Sequence, residues 1–86
     1  MPTLSEGMTR AELESEAIKL TADYFKADIG RVTLETSFIS DMDADSLDTV
    51  EFIMAVEDRF DEDIAEDEAE KILTVGDLVT WLEGRK

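Results

Sequence analysis

The run from Ser46 to Phe60 constrains this chain most, because it has helical periodicity and contains neither glycine nor proline. Asp45 and Ser46 are both good helix-capping residues, so we expect a helix to begin there and to continue to about Asp61. A helical wheel at about 100° per residue places two apolar groups on different faces of this helix. The sequence therefore predicts a helix with two apolar faces and a serine at its N-terminus.

The two faces differ in their neighbours. The first has the width that a core-facing helix needs, and it consists of Phe52, Ile53, Val56 and Phe60, with Thr49 among them. The second face places three apolar residues beside carboxylates, and these are Leu47, Val50 and Met54. An apolar ridge bordered by acids is atypical of core packing and indicates a docking surface.

The rest of the chain predicts an all-α domain. Thr9 and Glu12 form a capping box, with Met8 and Leu13 as a hydrophobic staple, and open a first helix to about Lys26. Its core stripe is Leu13, Ala17, Leu20 and Tyr24. A short third helix is expected from about Glu66 to Ile72. Thr74 with Asp77 begins a last helix to about Gly84, which buries Val75, Leu78 and Leu82.

The connection from Ala27 to about Asp43 has no helical pattern and is long for so small a domain. Five apolar residues in it are expected to lie across the helices and close one end of the core: Ile29, Val32, Leu34, Phe38 and Ile39. Asp41 or Asp43 can meet the positive N-terminus of the next helix. We predict a four-helix up-and-down bundle, with three longer helices and one short third helix. Residues 1–7 are expected to be a flexible leader and residues 8–86 a single domain.

Composition excludes several classes of function. Eight basic and 23 acidic side chains give a formal charge of −15, which repels nucleic acid and attracts basic partners. The chain has no cysteine for disulfides and no apolar run long enough for a membrane span. The N-terminus also lacks the basic and apolar regions of a signal peptide, so a cytoplasmic monomer is the expectation. Without histidine, Ser46 has no base to make it a nucleophile, and we expect it to act as an acceptor.

Around Ser46 stand Phe38 and Ile39, then Asp41 to Glu51, and further along the chain Met54 to Glu57, Phe60, Ile64, Glu68 to Ile72, Thr74 and Val75. These residues closely resemble the signature of acyl carrier proteins around their modified serine. It covers most of the chain from about Val32 onward. One position departs from the family, because Asp43 stands where glycine is usual.

This resemblance implies that Ser46, flanked by Asp45 and Leu47, carries 4′-phosphopantetheine. The group comes from coenzyme A by the action of a separate phosphopantetheinyl synthase, and acyl chains ride on its thiol as thioesters. The helix N-terminus suits the phosphodiester, because its amides and dipole favour negative charge. The protein itself would catalyse nothing. Its partners would be acyltransferases, ketosynthases and related enzymes with basic patches, in fatty-acid, lipid or polyketide synthesis.

The resemblance also implies a partner face and an acyl pocket. The acids that would steer basic enzymes are Asp45, Asp48, Glu51, Glu57 and Asp58, while Leu47, Val50 and Met54 would supply the apolar contact. The candidates for lining the pocket are Phe38, Ile53, Val56, Phe60, Ile64, Ala69 and Ile72. Most of these would be core residues in any helical bundle, so we expect them to be core residues first and to line a pocket only as a second role.

Two other interpretations fit parts of the sequence. Asp41, Asp43 and Asp45 occupy the first three ligand positions of a calcium loop, but Ser46 and Phe52 stand where that loop needs glycine and glutamate. No specific metal site is predicted, although loose binding of divalent cations fits the charge. The other interpretation is an acidic interaction module in which Ser46 is unmodified. Peptidyl carriers are also related, but Asp45 and the acidic second helix favour the fatty-acyl type.

Overall fold

The computed structural model describes residues 8–84, which form four α-helices. These are α1 (Arg10–Phe25), α2 (Ser46–Phe60), α3 (Glu66–Ala69) and α4 (Val75–Glu83), with a short 3-10 helix (Ile29–Arg31) between α1 and α2. Within this range there is no β-strand, only an isolated antiparallel bridge between Ser37 and Thr74. The predicted all-α fold with one short helix is confirmed. The predicted leader, residues 1–7, lies outside the described residues.

None of the described helices is long and apolar enough to cross a membrane.

The three longer helices each begin with a capping box, in which two residues exchange side-chain to backbone hydrogen bonds. The pairs are Thr9 with Glu12, Asp45 with Asp48, and Thr74 with Asp77. Such a box satisfies two backbone donors that the helix itself leaves unpaired. The first and third pairs were predicted from sequence and are confirmed. α1 and α2 end in left-handed residues, Lys26 (φ 55°) and Asp61 (φ 54°).

The core is built from α1, α2, α4 and the connections between them. Its fully buried large side chains are Leu13, Phe38, Phe52, Val56, Phe60, Val75, Leu78, Val79 and Leu82. The α1 stripe is shifted from its prediction, because Thr21 and Ala22 are buried while Leu20 and Tyr24 are only half-buried. Buried Thr21 is accommodated because its hydroxyl donates to the Ala17 carbonyl at 2.8 Å.

The α1–α2 connection closes the core with only some of its apolar residues. Val32 and Phe38 are buried and Leu34 packs against the core, as predicted. The prediction is wrong for Ile29 and Ile39, which are 52% and 56% exposed. Ile29 belongs to the 3-10 helix, none of whose residues is buried, and Ile39 follows Phe38 in a turn where only Phe38 enters the core.

The connection is fastened to the start of α4 by backbone hydrogen bonds. The Val75 N–H donates to the Thr36 carbonyl at 3.1 Å, and the Gly76 N–H donates to the Leu34 carbonyl at 2.8 Å. A Cβ at position 76 would lie 2.9 Å from that carbonyl oxygen, so glycine permits the close approach. The long connection is therefore an ordered part of the fold.

The third helix is shorter than predicted. It ends at Ala69 instead of continuing to Ile72, because the backbone changes to tighter hydrogen bonds at this point. The Lys71 N–H donates to the Glu68 carbonyl at 3.0 Å, and the Ile72 N–H to the Ala69 carbonyl at 3.1 Å. This tightening is common in the last turn of a helix.

Candidate functional site

Ser46 is the first residue of α2 and is exposed. Asp45 precedes it as the N-cap and accepts from the Asp48 N–H at 2.9 Å, while the Asp48 carboxylate accepts from the Asp45 N–H at 3.2 Å. The Thr49 hydroxyl adds a third bond, donating to the Asp45 carbonyl at 2.9 Å. These bonds fix the turn that presents Ser46. Among residues 8–84 no group forms a hydrogen bond with the Ser46 hydroxyl.

The loop before Ser46 contains Asp43 in the left-handed region, at φ 56°. Glycine reaches this conformation without strain, and Asp tolerates it better than most residues. Asp41 or Asp43 was expected to be able to meet the positive N-terminus of α2, and for Asp41 the structure shows a different partner. Its carboxylate accepts from the Ser37 N–H at 2.7 Å, while the Asp45 carboxylate bonds the α2 N-terminus instead.

The ridge predicted on α2 is exposed to solvent. Leu47 is 64% exposed, Val50 57% and Met54 59%, although side chains of this kind are usually buried. Such residues in a contiguous group mark an interaction site more often than chance exposure. The structure therefore places these three apolar side chains where another molecule can reach them.

The acidic residues around this ridge divide into two groups. Asp45, Glu51 and Asp58 are exposed, while Asp48 and Glu57 are half-buried. Four of the five also bind within the fold. Asp45 and Asp48 exchange the bonds of the capping box, Glu57 accepts from the Ile64 N–H at 2.9 Å, and Glu51 accepts from the Tyr24 hydroxyl at 3.4 Å. The pKa of Tyr24 is raised by its burial first, and then by the Glu51 charge and hydrogen bond and the Asp48 charge.

A cleft of about 290 Å³ lies between α2 and the α3 segment, and Ser46 borders it. Its lining residues are Ile39, Ser46, Thr49, Val50, Ile53, Glu66, Ala69, Glu70, Ile72 and Leu73. We call this space the α2–α3 cleft. Three predicted pocket residues line it: Ile53, Ala69 and Ile72.

The other four predicted pocket residues do not line the cleft. Phe38, Val56, Phe60 and Ile64 are between 0% and 7% exposed and pack into the core. Ile39 and Leu73 were not predicted as cleft residues, because they lie in connections where no periodicity assigns a side chain to a face. Val50 was predicted only as part of the ridge, and in the structure it belongs to both surfaces.

The α3 wall of the cleft has few stabilising contacts. The N-cap position of α3 is Ala65, which offers no side-chain cap, and none of the four helical residues is buried. A side-chain link to the rest of the bundle runs from the Trp81 indole N–H, which donates to the Glu68 carboxylate. Trp81 is half-buried and packs against the core.

Residues 8–84 contain no group of three or more His, Cys, Asp or Glu side chains placed to hold a metal ion. In the loop that resembles the start of a calcium site, Asp41 bonds to the Ser37 amide and Asp45 to the Asp48 amide.

The residues at Ser46 fit the prosthetic group that the resemblance implies. The first backbone amide of α2 to donate to a carbonyl is that of Thr49, at 3.0 Å to Asp45, and the Asp48 amide is used by the capping box. The amides of Ser46 and Leu47 remain at the positive end of the helix, where they can bond a phosphate oxygen. An apolar cleft begins beside the same hydroxyl.

Comparisons with known proteins agree with this geometry. Residues 15–82 match the family model described as a phosphopantetheine attachment site. An acyl carrier protein from Lactobacillus acidophilus is 44% identical over 79 residues, which are 92% of this chain and 99% of that one. The solved structure of an acyl carrier protein from Enterococcus faecalis matches with a TM-score of 0.75 at 33% identity, covering 92% of this chain and 100% of that one. The chain therefore belongs to the acyl carrier proteins, non-catalytic carriers with a phosphopantetheine attachment domain that takes a covalent 4′-phosphopantetheine.

Proposed function

We propose that Ser46 is the attachment point of the phosphopantetheine and that this chain carries acyl groups as thioesters to enzymes of fatty-acid, lipid or polyketide synthesis. The observation that supports this most is the exposed Ser46 hydroxyl, which a capping box holds at the mouth of an apolar cleft. The chain has no histidine and catalyses no step itself. When bound, the group supplies the thiol that this cysteine-free chain lacks.

Attachment is a phosphoryl-type transfer in which Ser46 is the acceptor. The Ser46 Oγ forms a bond to the phosphorus next to pantetheine in coenzyme A, the phosphoanhydride bond breaks, and adenosine bisphosphate leaves. The hydroxyl proton passes to a base of the phosphopantetheinyl synthase, since no base of this chain bonds the hydroxyl within residues 8–84. The amides of Ser46 and Leu47 then stabilise the phosphodiester charge.

The α2–α3 cleft shelters the acyl chain. Ile53 and Ile72 are 5% and 2% exposed and form its apolar base, and Ala69 supplies a small side chain on the α3 side. Removing an acyl chain from water stabilises this arrangement by about 0.8 kcal/mol for each buried methylene. Phe38, Val56, Phe60 and Ile64 contribute indirectly, because they belong to the same core cluster as Ile53 and Ile72.

The α2 ridge and the acids around it form the partner face. Leu47, Val50 and Met54 provide the apolar contact, and Asp45, Asp48, Glu51, Glu57 and Asp58 attract basic surfaces of the synthase, acyltransferases and ketosynthases. Each exposed ion pair contributes about 1 kcal/mol or less and is screened by salt, so these complexes are short-lived. Short-lived complexes suit a carrier that must visit several enzymes in turn.

We place this carrier in the cytoplasm as a monomer. Its formal charge of −15 opposes association of two copies, and loading requires access to coenzyme A and the synthase.

Intact-protein mass spectrometry tests the attachment. After incubation with coenzyme A and a phosphopantetheinyl synthase, the parent chain should gain the mass of one phosphopantetheine, and Ser46→Ala should gain none. Ser15→Ala is the matched control, because Ser15 is exposed on α1 and should leave the mass gain intact. A Ser46→Ala protein that still gains the group would overturn the assignment. No gain in the parent would favour an acidic interaction module instead.

A further inference from the structure

Ile39 and Leu73 are two large apolar residues that the predicted partner face does not include. They are 56% and 52% exposed, and both line the α2–α3 cleft together with Ser46. Ile39 comes from the α1–α2 connection and Leu73 from the segment between α3 and α4. Exposed side chains of this size beside a functional hydroxyl require a reason, because burying each would stabilise the protein.

Backbone hydrogen bonds hold these two residues in place. The Phe38 N–H donates to the Leu73 carbonyl at 3.1 Å, next to the Ser37–Thr74 bridge. The Leu73 N–H donates to the Asp77 carboxylate at 3.1 Å, so Leu73 is bonded on both sides of its backbone. Burial of Phe38 anchors the turn that carries Ile39. Since the fold restrains the backbone that carries both residues, little backbone conformational entropy is lost when something binds them.

Their position extends the apolar surface around Ser46. Val50 belongs to the α2 ridge and also lines the cleft, which joins the ridge to Ile39 and Leu73. Carboxylates border this second part as well, since Glu66 and Glu70 line the same cleft. An apolar centre with an acidic border is complementary to an apolar patch ringed by basic side chains.

We infer that the partner face has two halves, the α2 ridge and a second half formed by Ile39 and Leu73. The phosphopantetheinyl synthase contacts both halves at the same time. This inference rests on the proposed function and adds two specificity-determining contacts to it. The synthase contacts the chain on both sides of the cleft mouth, and this double contact strengthens binding of the carrier without touching the reacting atoms. The occupant is the enzyme, and not the acyl chain that later enters the cleft.

Loading kinetics of the unmodified chain separate these two occupants, because no arm or acyl chain is present at that stage. Ile39→Ser and Leu73→Ser are each expected to raise the KM for the carrier about fivefold or more, with kcat nearly unchanged. Ile29→Ser is the matched control, because Ile29 is 52% exposed but lies in the 3-10 helix and does not line the cleft. Its KM should stay within about twofold of the parent value.

Thermal melting of all three variants checks that each one folds. If Leu73→Ser does not fold, the KM of Ile39→Ser alone tests the inference. The inference is overturned if both variants load with the parent KM, or if Ile29→Ser raises the KM as much as they do. It is also overturned if they load normally and only lose an attached acyl chain faster by hydrolysis of its thioester, since the acyl chain would then be the occupant. If the Ile39→Ser and Leu73→Ser variants load Ser46 with the parent KM, this inference is refuted and the proposed function stands. If the parent chain gains no phosphopantetheine, both are refuted.

Discussion

The α1–α4 side of the molecule and the α3 wall of the cleft are built in different ways. α1 and α4 pack directly against each other, and both begin with capping boxes. Arg10 links them, bonding Glu14 on α1 at 3.0 Å and Glu83 on α4 at 3.3 Å. The α3 wall has only four helical residues, no side-chain cap and no buried residue within the helix.

This difference indicates where the molecule can change shape. Local stability follows buried apolar contacts and satisfied backbone groups, and ligand-handling elements commonly come from the less stable parts of a fold. The packed side is the more firmly stabilised part of the described structure, and the α3 wall is the part that can yield. Four predictions test or refine this contrast.

The largest effect is expected from removing a core side chain on the packed side. Leu13 on α1 is 0% exposed, so Leu13→Ala leaves a cavity and should lower the free energy of unfolding by about 2–5 kcal/mol. Glu70→Ala, at the exposed end of α3, should change it by less than about 0.5 kcal/mol. Urea unfolding followed by circular dichroism measures both, and comparable losses would show that the two sides are equally stabilised.

The next effect concerns the contact between α4 and the α1–α2 connection. Gly76→Ala places a Cβ 2.9 Å from the Leu34 carbonyl oxygen, a backbone atom that cannot move alone, and should cost about 1–3 kcal/mol. Gly84→Ala is the control, because its Cβ would lie 3.5 Å from the nearest such atom, the Trp81 carbonyl oxygen. Equal melting temperatures for the two variants would mean that the connection is not fastened to α4 as described.

Helix caps give a smaller effect, of opposite sign on the two sides. Thr74→Ala removes the bond from the Asp77 N–H at 3.1 Å and should destabilise the fold by about 1 kcal/mol. Ala65→Ser adds the cap that α3 lacks and should stabilise it by up to about 1 kcal/mol. Thermal melting detects the first change, and slower amide exchange at residues 66–69 detects the second. If Ala65→Ser left exchange unaltered, absence of a cap would not explain the weakness of α3.

The smallest effect is the titration of Tyr24, which ties α1 to Glu51 on α2. Burial and the Glu51 charge raise the pKa of Tyr24 above its ordinary value of 10.0. Because the folded protein favours the neutral phenol, the raised pKa of Tyr24 contributes to the stability of the fold. This contribution is fully present below pH 10.0 and is lost as the pH rises through the raised pKa. Because Tyr24 is the only tyrosine, phenolate absorbance reports it alone. Glu51→Gln should bring the pKa of Tyr24 nearer to 10.0, while Glu35→Gln, in the α1–α2 connection, should not.

Much of the fold could be predicted from sequence, because periodicity and capping residues act locally. The Thr9–Glu12 and Thr74–Asp77 boxes were readable as patterns, and they are present. The Asp45–Asp48 box was missed although the same spacing signals it. The end of α3 was misplaced because the sequence from Glu66 to Ile72 does not show where hydrogen bonding tightens.

The positions of Ser46 and of the ridge residues could be predicted from sequence, whereas the lining of the cleft was predicted less well. Helical spacing separated Leu47, Val50 and Met54 from the core face, and all three are exposed. No such rule assigns residues of a connection to a face, so Ile39 was expected to be buried and the position of Leu73 at the cleft was not predicted. Both residues lie close to the bridge between Ser37 and Thr74, which joins segments far apart in sequence.

A comparison of amide NMR spectra before and after loading with phosphopantetheine and an acyl chain tests the central claim most directly. If Ser46 carries the arm beside the α2–α3 cleft, the largest shifts should occur at Ser46, Leu47 and the cleft residues Ile53, Ala69 and Ile72. Amides in the packed interface between α1 and α4 should shift little. Shifts concentrated in α1 and α4, with Ser46 and Leu47 unmoved, would contradict the account.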